Sequence, residues 1–293
     1  MGGKRVAIVG GGVIGLCCAH YLLERGHGVT VVERGPEGHD CCSLGNAGYI
    51  SPSHFVPLAA PGIVGQAVRW MGNPESPFYA PLRLDPEFLA WGFRFWRASG
   101  AARARRAEPL MRDLNLASRA LFVALAARSR NDFELVEDGL LALFQTERGL
   151  AEEARHAARA RELGMPAEVL DAGAAKALEP ELTLDVIGGV HYPLDAHVTP
   201  QKFHAALTRL VRERGADVRF GAELRSWERD GGSIRAAVTS SGRVEADEFV
   251  VAAGVWSAQL VRPLGLRLSL QPGKGYSLTL PNPPERPRRA VLL

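Results

Sequence analysis

No run of about eighteen apolar residues occurs anywhere in the sequence, so no membrane-crossing helix is expected. Cysteine is scarce: Cys17, Cys18, Cys41 and Cys42 form two adjacent pairs. Neither pair has C-x-x-C spacing, which argues against zinc and against a dithiol redox site. A reduced cytoplasmic protein is the simplest account. Lysine is limited to Lys4, Lys176, Lys202 and Lys274, the other cations being arginine, and the formal net charge is only +3. That balance describes a solvated surface and points to no nucleic-acid partner. There is no Ser/His/Asp pattern, no metal-ligand spacing, no internal repeat and no low-complexity linker.

What the chain does have is a core: 46% of its 293 residues are hydrophobic and 23% are charged. That length suits one large domain or two intertwined ones. The first motif comes almost at once. Arg5 to Val9 is a short β-branched run that reads as a buried parallel strand. Gly10, Gly12 and Gly15 follow with G-x-G-x-x-G spacing. Val13 to Arg25 reads as a helix, with Ile14, Cys17, Cys18, Tyr21 and Leu22 on one face. His20 falls off that face and is expected in solvent, and Gly26 stops the helix. Val29 to Val32 is a second strand, ended by Glu33. Lys4 and Arg5 before an apolar run imitate a signal peptide. The glycine spacing and the acidic strand end point instead to a dinucleotide turn.

In such a turn the first glycine permits the tight strand-to-helix bend, the second lets the backbone approach a pyrophosphate, and the third lets helix and sheet pack closely. The helix N-terminus offers free amides and the positive end of its dipole. Glu33 is placed to accept from both hydroxyls of an adenosine ribose, and an acid there disfavours a 2′-phosphate. The motif by itself does not separate NAD from FAD.

Further along, 35–60 is rich in loop residues. Asp85-Pro86 reads as a cap and first residue of a helix reaching about Ala98. Its aromatic stripe, Phe88, Leu89, Trp91, Phe95 and Trp96, is expected in a core. With Arg94, Arg97 and Arg103 to Arg106, it leaves peripheral membrane contact open. Helices are expected over 108–129, 147–163, 172–178 and 200–214, and strands over 139–145, 189–192 and 218–220. Three strands near 224–228, 234–239 and 244–251, joined by Asp230-Gly231-Gly232 and Ser241-Gly242, read as a β-meander. The last runs into Ala252-Ala253-Gly254. The dinucleotide domain is therefore expected to be discontinuous, as 1–57 and 197–262, with 58–196 and 263–293 forming a second domain.

Several longer segments carry a resemblance: GNAGYISPS (Gly45 to Ser53), PLAAPG (Pro57 to Gly62), LALFQTE (Leu141 to Glu147), ALEPEL (Ala177 to Leu182), GGVHYPLDAHVTPQKF (Gly188 to Phe203) and PGKGYSLTLP (Pro272 to Pro281). In combination they resemble the FAD-dependent D-amino-acid dehydrogenases, within the wider D-amino-acid oxidase and glycine/sarcosine oxidase group. The resemblance implies an α/β fold: a Rossmann-like FAD-binding domain of parallel sheet and β-meander, with an inserted α+β substrate domain. It implies FAD rather than NAD, and electrons passed from an amino-acid substrate to a quinone or other acceptor. Carried over by position, Gly10, Gly12, Val13, Ile14, Gly15, Glu33 and Arg34 would hold the ADP half. Ser43, Asn46, Ala47 and Gly48 would line the pyrophosphate and flavin. Leu224 would meet the adenine through its backbone, and Ala252, Ala253 and Gly254 would lie by the phosphates. Relatives with covalent flavin use a histidine where Gly45 stands, so non-covalent FAD is expected, and Cys41 and Cys42 are not expected to form a thioether. Such relatives continue well beyond Leu293 with further strands and a carboxylate-binding arginine, so a truncated chain with an open flavin site is expected.

Hydride transfer from the substrate Cα to flavin N5 leaves the protein mainly to orient and bind, so no strong catalytic constellation is required. Three weaker candidates stand out: Tyr276 as a substrate-side hydrogen bonder, Lys274 near the flavin, and His54 after the flavin-lining segment. His191, Tyr192 and His197 are further options, and Asp195 reads as a turn residue. Two competing readings are a related amine oxidoreductase acting on hydroxyproline, glycine or sarcosine, and a non-catalytic FAD-binding fragment.

Overall fold

The structure, a computed structural model, describes residues 2–71, 85–280 and 283–293. The chain's contacts divide it into two compact units, one of Met1–Ala47 with Thr199–Ser277 and the other of Gly48–Val198 with Leu278–Leu293. The sequence pattern places the breaks after 57, 196 and 262 instead. Segment 48–57 groups with the second unit because Tyr49–Ile50 pairs antiparallel with Ala196–His197.

The first unit is built on a four-stranded parallel sheet in the order Glu248–Val251, Arg5–Val9, Gly28–Val32, Asp217–Arg219. The near-continuous apolar runs are those of a sheet covered on both faces. Helices Val13–Glu24 and Pro200–Glu213 pack together; the second starts with proline at its first turn, where no amide is needed. A three-stranded antiparallel meander, Leu224–Asp230, Ser233–Thr239 and Gly242–Glu245, shares a core with the sheet. Ala7, Val9 and Val32 meet Leu224, Ala237 and Val244 there. This is the α/β, Rossmann-like architecture that the resemblance implies.

The stretch read as one strand over 244–251 is two. Gly242–Glu245 closes the meander, and Glu248–Val251 joins the parallel sheet. The break falls at Ala246-Asp247, where the Asp247 carboxylate accepts the amide of Arg5 at 2.8 Å and the Asp247 amide donates to the Arg5 carbonyl at 2.9 Å.

The second unit holds a mixed sheet in the order Ala290–Leu292, Leu140–Phe144, Gly188–Tyr192, Glu168–Asp171. Only the first pair is parallel. Phe55, Leu140, Ala157, Val190, Tyr192 and Ala290 form its main core. Helix Pro86–Ala98 is capped by Asp85, whose side chain accepts the Glu87 amide. The next helix runs Ala101–Ser129, beginning before the expected Glu108 and containing Pro109. Proline forfeits one helical hydrogen bond, but the alanine- and arginine-rich turn before it favours helix strongly enough to continue. Helix Ile63–Met71 and strand Glu168–Asp171 have no counterpart among the elements expected from sequence.

Candidate functional site

The glycine turn lies at the carboxyl end of the Arg5–Val9 strand. Gly10 has φ +114°, and a Cβ there would meet the Ala252 carbonyl oxygen at 2.4 Å. A Cβ on Gly15 would lie 1.9 Å from the Gly10 oxygen. These two glycines are therefore needed for the close approach of helix, turn and neighbouring strand. The turn is tied down by Gly10 N–H to the Val32 carbonyl at 2.9 Å and Ala252 N–H to the Val9 carbonyl at 2.8 Å. The first helical hydrogen bond runs from Leu16 to the Gly12 carbonyl. The amides of Ile14 and Gly15, in the first helical turn, thus have no acceptor within the helix.

Glu33 points into this turn. Its Oε2 accepts the Gly11 amide at 2.8 Å and its Oε1 accepts the Gly35 amide at 2.9 Å. The His39 ring lies 3.5 Å from the same carboxylate, with its Nδ1 donating to the Pro36 carbonyl. The Ser43 hydroxyl accepts the Val13 amide at 3.0 Å, so a residue of the following loop covers the helix N-terminus. Asn46 donates to the Cys42 and Ser43 carbonyls and shapes the same loop. His204, from the Pro200–Glu213 helix, donates to the Gly11 carbonyl at 2.9 Å. It holds the outer side of the turn, and nothing in its local sequence pattern marks it. The Arg34 guanidinium lies 3.8 Å from the Trp256 ring centroid, a second partnership that residue spacing does not reveal.

The helix face differs from the reading. Gly15, Leu16, Ala19 and His20 are the buried positions, whereas Ile14 is 65% exposed and Cys17 and Cys18 are half-buried. His20, expected in solvent, is 2% exposed. The small residues Gly15 and Ala19 let that face approach the sheet, and His20 is buried with it. Burial pushes the Cys17 thiol up to about 11, so it is protonated at neutral pH.

The remaining members of the expected cofactor set are spread over this unit. Leu224 is buried in the shared core. Ala252 and Ala253 follow the Glu248–Val251 strand, and Gly254, at φ +55°, opens a short 3-10 turn through Trp256. Asn46 and Ala47 are exposed, while Gly48 is buried in the second unit. Lys274 and Tyr276 lie in a segment without helix or strand. The Tyr276 ring is 90% exposed, with the Lys274 ammonium 5.3 Å from its centroid, so it is not packed in a sheet. Pro281, the end of that motif, lies outside the described residues.

In the second unit the expected turn residue Asp195 is fully buried. It accepts the Ser53 amide at 2.9 Å and the Ser53 hydroxyl at 2.6 Å. Desolvation raises its carboxyl to about 6, although the Ser53 hydrogen bonds and the Arg119 charge pull the other way. The Ser53 hydroxyl in turn lies 3.3 Å from His54 Nδ1, and His156 donates to the Ser53 carbonyl at 2.9 Å. The exposed His54 ring thus stands on a backbone fixed from both sides. Tyr192, beyond it, donates to Glu153 at 2.5 Å. Burial and that carboxylate push its phenol well above the usual range. His191 faces the Asp138 carbonyl at 3.3 Å. Among the described residues, no cluster of three or more His, Cys, Asp or Glu is arranged to hold a metal ion.

The loop chemistry fits an adenine dinucleotide: the amides of Ile14 and Gly15 without an acceptor in the helix, and the Glu33 carboxylate at the end of the next strand. Comparison with known proteins agrees. A model of the family described as FAD dependent oxidoreductase matches residues 5–292. D-amino acid dehydrogenases of Methylobacterium nodulans and Sinorhizobium medicae are 35% and 36% identical over 94% of this chain. The chain spans 67% of the length of each. Glycine oxidase from Geobacillus kaustophilus superposes with a TM-score of 0.66 at 27% identity, over 92% of this chain and 60% of that one. L-proline dehydrogenase from P. horikoshii, 18% identical, shares the fold with a TM-score of 0.57 over 90% of this chain and 56% of its own. The chain belongs to the FAD-dependent oxidoreductase family, whose cofactor is FAD.

Proposed function

We propose that the protein oxidises D-amino acids to 2-oxo acids and ammonia, passing the electrons to a quinone or another acceptor. The observation that carries this reading is similarity to D-amino acid dehydrogenases along 94% of the chain, together with a nucleotide turn in which Glu33 is already aimed inward. Bound FAD supplies the hydride acceptor for the substrate Cα–H, and water then hydrolyses the imine.

The chain's own residues bind and orient. The amides of Gly12, Ile14 and Gly15 receive the diphosphate at the positive end of the helix dipole, and that of Val13 joins them by giving up its contact with the Ser43 hydroxyl. Glu33 accepts from the ribose hydroxyls, exchanging part of its contact with the Gly11 amide. Arg34 adds a cation to the adenosine diphosphate half. Ser43, Asn46, Ala47 and Gly48 border the dinucleotide on one side, Ala252, Ala253 and Gly254 on the other, and Leu224 meets the adenine through its backbone. FAD is held non-covalently, Gly45 offering no side chain for attachment. We assign Tyr276 as a hydrogen bonder to substrate, and name Lys274 and His54 as further candidate polar groups.

The exposed stripe of Leu89, Phe93 and Trp96, flanked by Arg94 and Arg97, suits contact with an anionic membrane surface. We place the protein in the cytoplasm, at the inner membrane face, where a quinone acceptor is at hand. No described helix is long and apolar enough to cross a membrane.

Glycine oxidase as a structural relative at 27% identity favours one alternative, an oxidase acting on glycine, sarcosine or hydroxyproline. The test is anaerobic mixing of the FAD-loaded chain with D-amino acids, glycine, sarcosine and hydroxyproline, followed by admission of oxygen. Bleaching of the flavin by D-amino acids without peroxide release is the expected result. Bleaching by glycine or sarcosine with peroxide release establishes the alternative. A bound flavin that no amine bleaches overturns both and leaves a FAD-binding chain without this activity.

A further inference from the structure

The sheet order places Arg5–Val9 between Gly28–Val32 and Glu248–Val251. All three strands run parallel and end level, Val9 being paired with Val32 on one side and Val251 on the other. The chain leaves the middle strand through helix Val13–Glu24 and continues into Gly28–Val32, whereas Glu248–Val251 is added on the opposite side. That is a topological switch point, where the turns after adjacent strands part and leave a crevice at their carboxyl ends.

Strands in a sheet lie about 4.8 Å apart, so the two outer strand ends are roughly 10 Å from each other. Residues just beyond those ends nevertheless meet: Arg34 follows one, Trp256 follows the other, and the guanidinium carbon lies 3.8 Å from the indole centroid. The pair therefore bridges the end of the middle strand, where the glycine turn begins. Neither side chain is there to fill the core. Trp256 is 43% exposed and Arg34 is exposed. The Arg34 guanidinium has no carboxylate partner among the described residues, unlike the arginines at 212, 219 and 243, which are paired with acids in the same unit. An exposed guanidinium–indole stack is a weak attraction, and the planar fork keeps its N–H donors free for an oxyanion while stacked.

We propose that Arg34 and Trp256 form a clasp over the adenosine diphosphate half of the cofactor, closing across the crevice and slowing its release. This rests on the reading that the glycine turn holds FAD. In the closed form the indole covers the nucleotide and orients the guanidinium, whose N–H groups face the diphosphate oxygens. Arg34 without Trp256 keeps its charge but loses that orientation. Trp256 without Arg34 has no polar edge toward the phosphates.

The experiment uses the whole chain, with FAD binding measured first by flavin fluorescence. FAD dissociation is then followed after dilution in the wild type, Arg34→Ala, Trp256→Ala and Trp256→Phe, and tryptophan emission is titrated with ADP. A tenfold change in rate corresponds to about 1.4 kcal/mol, just under the lower end of what a hydrogen bond to a charged group contributes. Release is expected to speed up by about that factor in Arg34→Ala and in Trp256→Ala. The ADP-induced emission change is expected to vanish in Trp256→Phe, which preserves an aromatic ring and guards against loss of folding. FAD binding with unchanged release in both alanine variants, or an ADP response that persists in Trp256→Phe, overturns the clasp and leaves the FAD site intact. Failure of the wild type to take up FAD overturns the cofactor reading and the clasp together.

Discussion

Asp195 and Ser53 are 142 residues apart in sequence, yet the buried carboxylate of one accepts both the hydroxyl and the amide of the other, at 2.6 and 2.9 Å. The contact joins the segment before Phe55 to the turn after Gly188–Tyr192. It also places a carboxylate away from solvent, where the Ser53 hydrogen bonds and the Arg119 charge offset part of the desolvation.

Asp195 makes stability depend on pH in an uncommon direction. Its carboxyl lies at about 6 in the folded chain against an ordinary value of 3.8. The native state therefore holds this proton more tightly than the unfolded state, and its contribution is full below about pH 4 and lost as pH rises to about 6. The shift corresponds to about 3 kcal/mol. Asp195→Asn is expected to flatten the difference, gaining on the wild type as pH rises through that window. Urea midpoints at several pH values check this; parallel curves for the two proteins refute it.

Glu33→Gln is expected to weaken FAD binding by about ten- to a hundredfold, since hydrogen bonds to a charged group contribute roughly 1.5–3 kcal/mol. The amide still accepts one hydroxyl but carries no charge. Equilibrium titration of flavin fluorescence measures the change, and an unaltered affinity removes Glu33 from the ribose.

Gly15→Ala drives a methyl group to within 1.9 Å of the Gly10 oxygen. Helix and strand must separate to admit it, at a cost of about 1–3 kcal/mol. A lower melting temperature and a lower FAD content are expected together. Gly26→Ala, where nothing lies within 4 Å but φ is +77°, is expected to lower stability and leave FAD content unchanged.

Glu179 is completely buried and accepts the amides of Arg288 and Arg289, at 2.8 and 3.0 Å, together with the Arg289 guanidinium. This pins the Ala290–Leu292 strand beside Leu140–Phe144. Glu179→Ala leaves a part-buried guanidinium and two amides without their acceptor, a loss of about 1–3 kcal/mol. Faster hydrogen exchange at Ala290–Leu292 and proteolytic cleavage near 286–289 are the expected signs. Unchanged exchange there argues that the strand is held by its pairing instead.

The glycine turn and its acid were legible because their geometry is local: Gly10, Gly15 and Glu33 are constrained by neighbours within one strand-helix-strand unit. The meander was legible through its turns, but not where it ended. Alternation across 242–251 gives no sign that Glu245 belongs to one sheet and Glu248 to another; the Arg5 backbone decides that, from the other end of the unit. Helix Val13–Glu24 misled in the same way. A buried stripe in which Leu16 is joined by glycine, alanine and histidine carries less hydrophobic signal than the set Ile14, Cys17, Cys18, Tyr21 and Leu22, so the periodicity points to a face whose Ile14 is exposed.

By itself, the order of residues determined the nucleotide turn, the capped helices and the family to which the chain belongs, since each depends on groups a few positions apart or on segments recognisable one by one. Tertiary structure alone decided that His204 backs the Gly11 carbonyl, that Arg34 meets Trp256, and that Asp195 and Glu179 are buried. Those facts depend on which distant segments displace water from a polar group and supply its hydrogen bonds, and sequence spacing holds no measure of that distance.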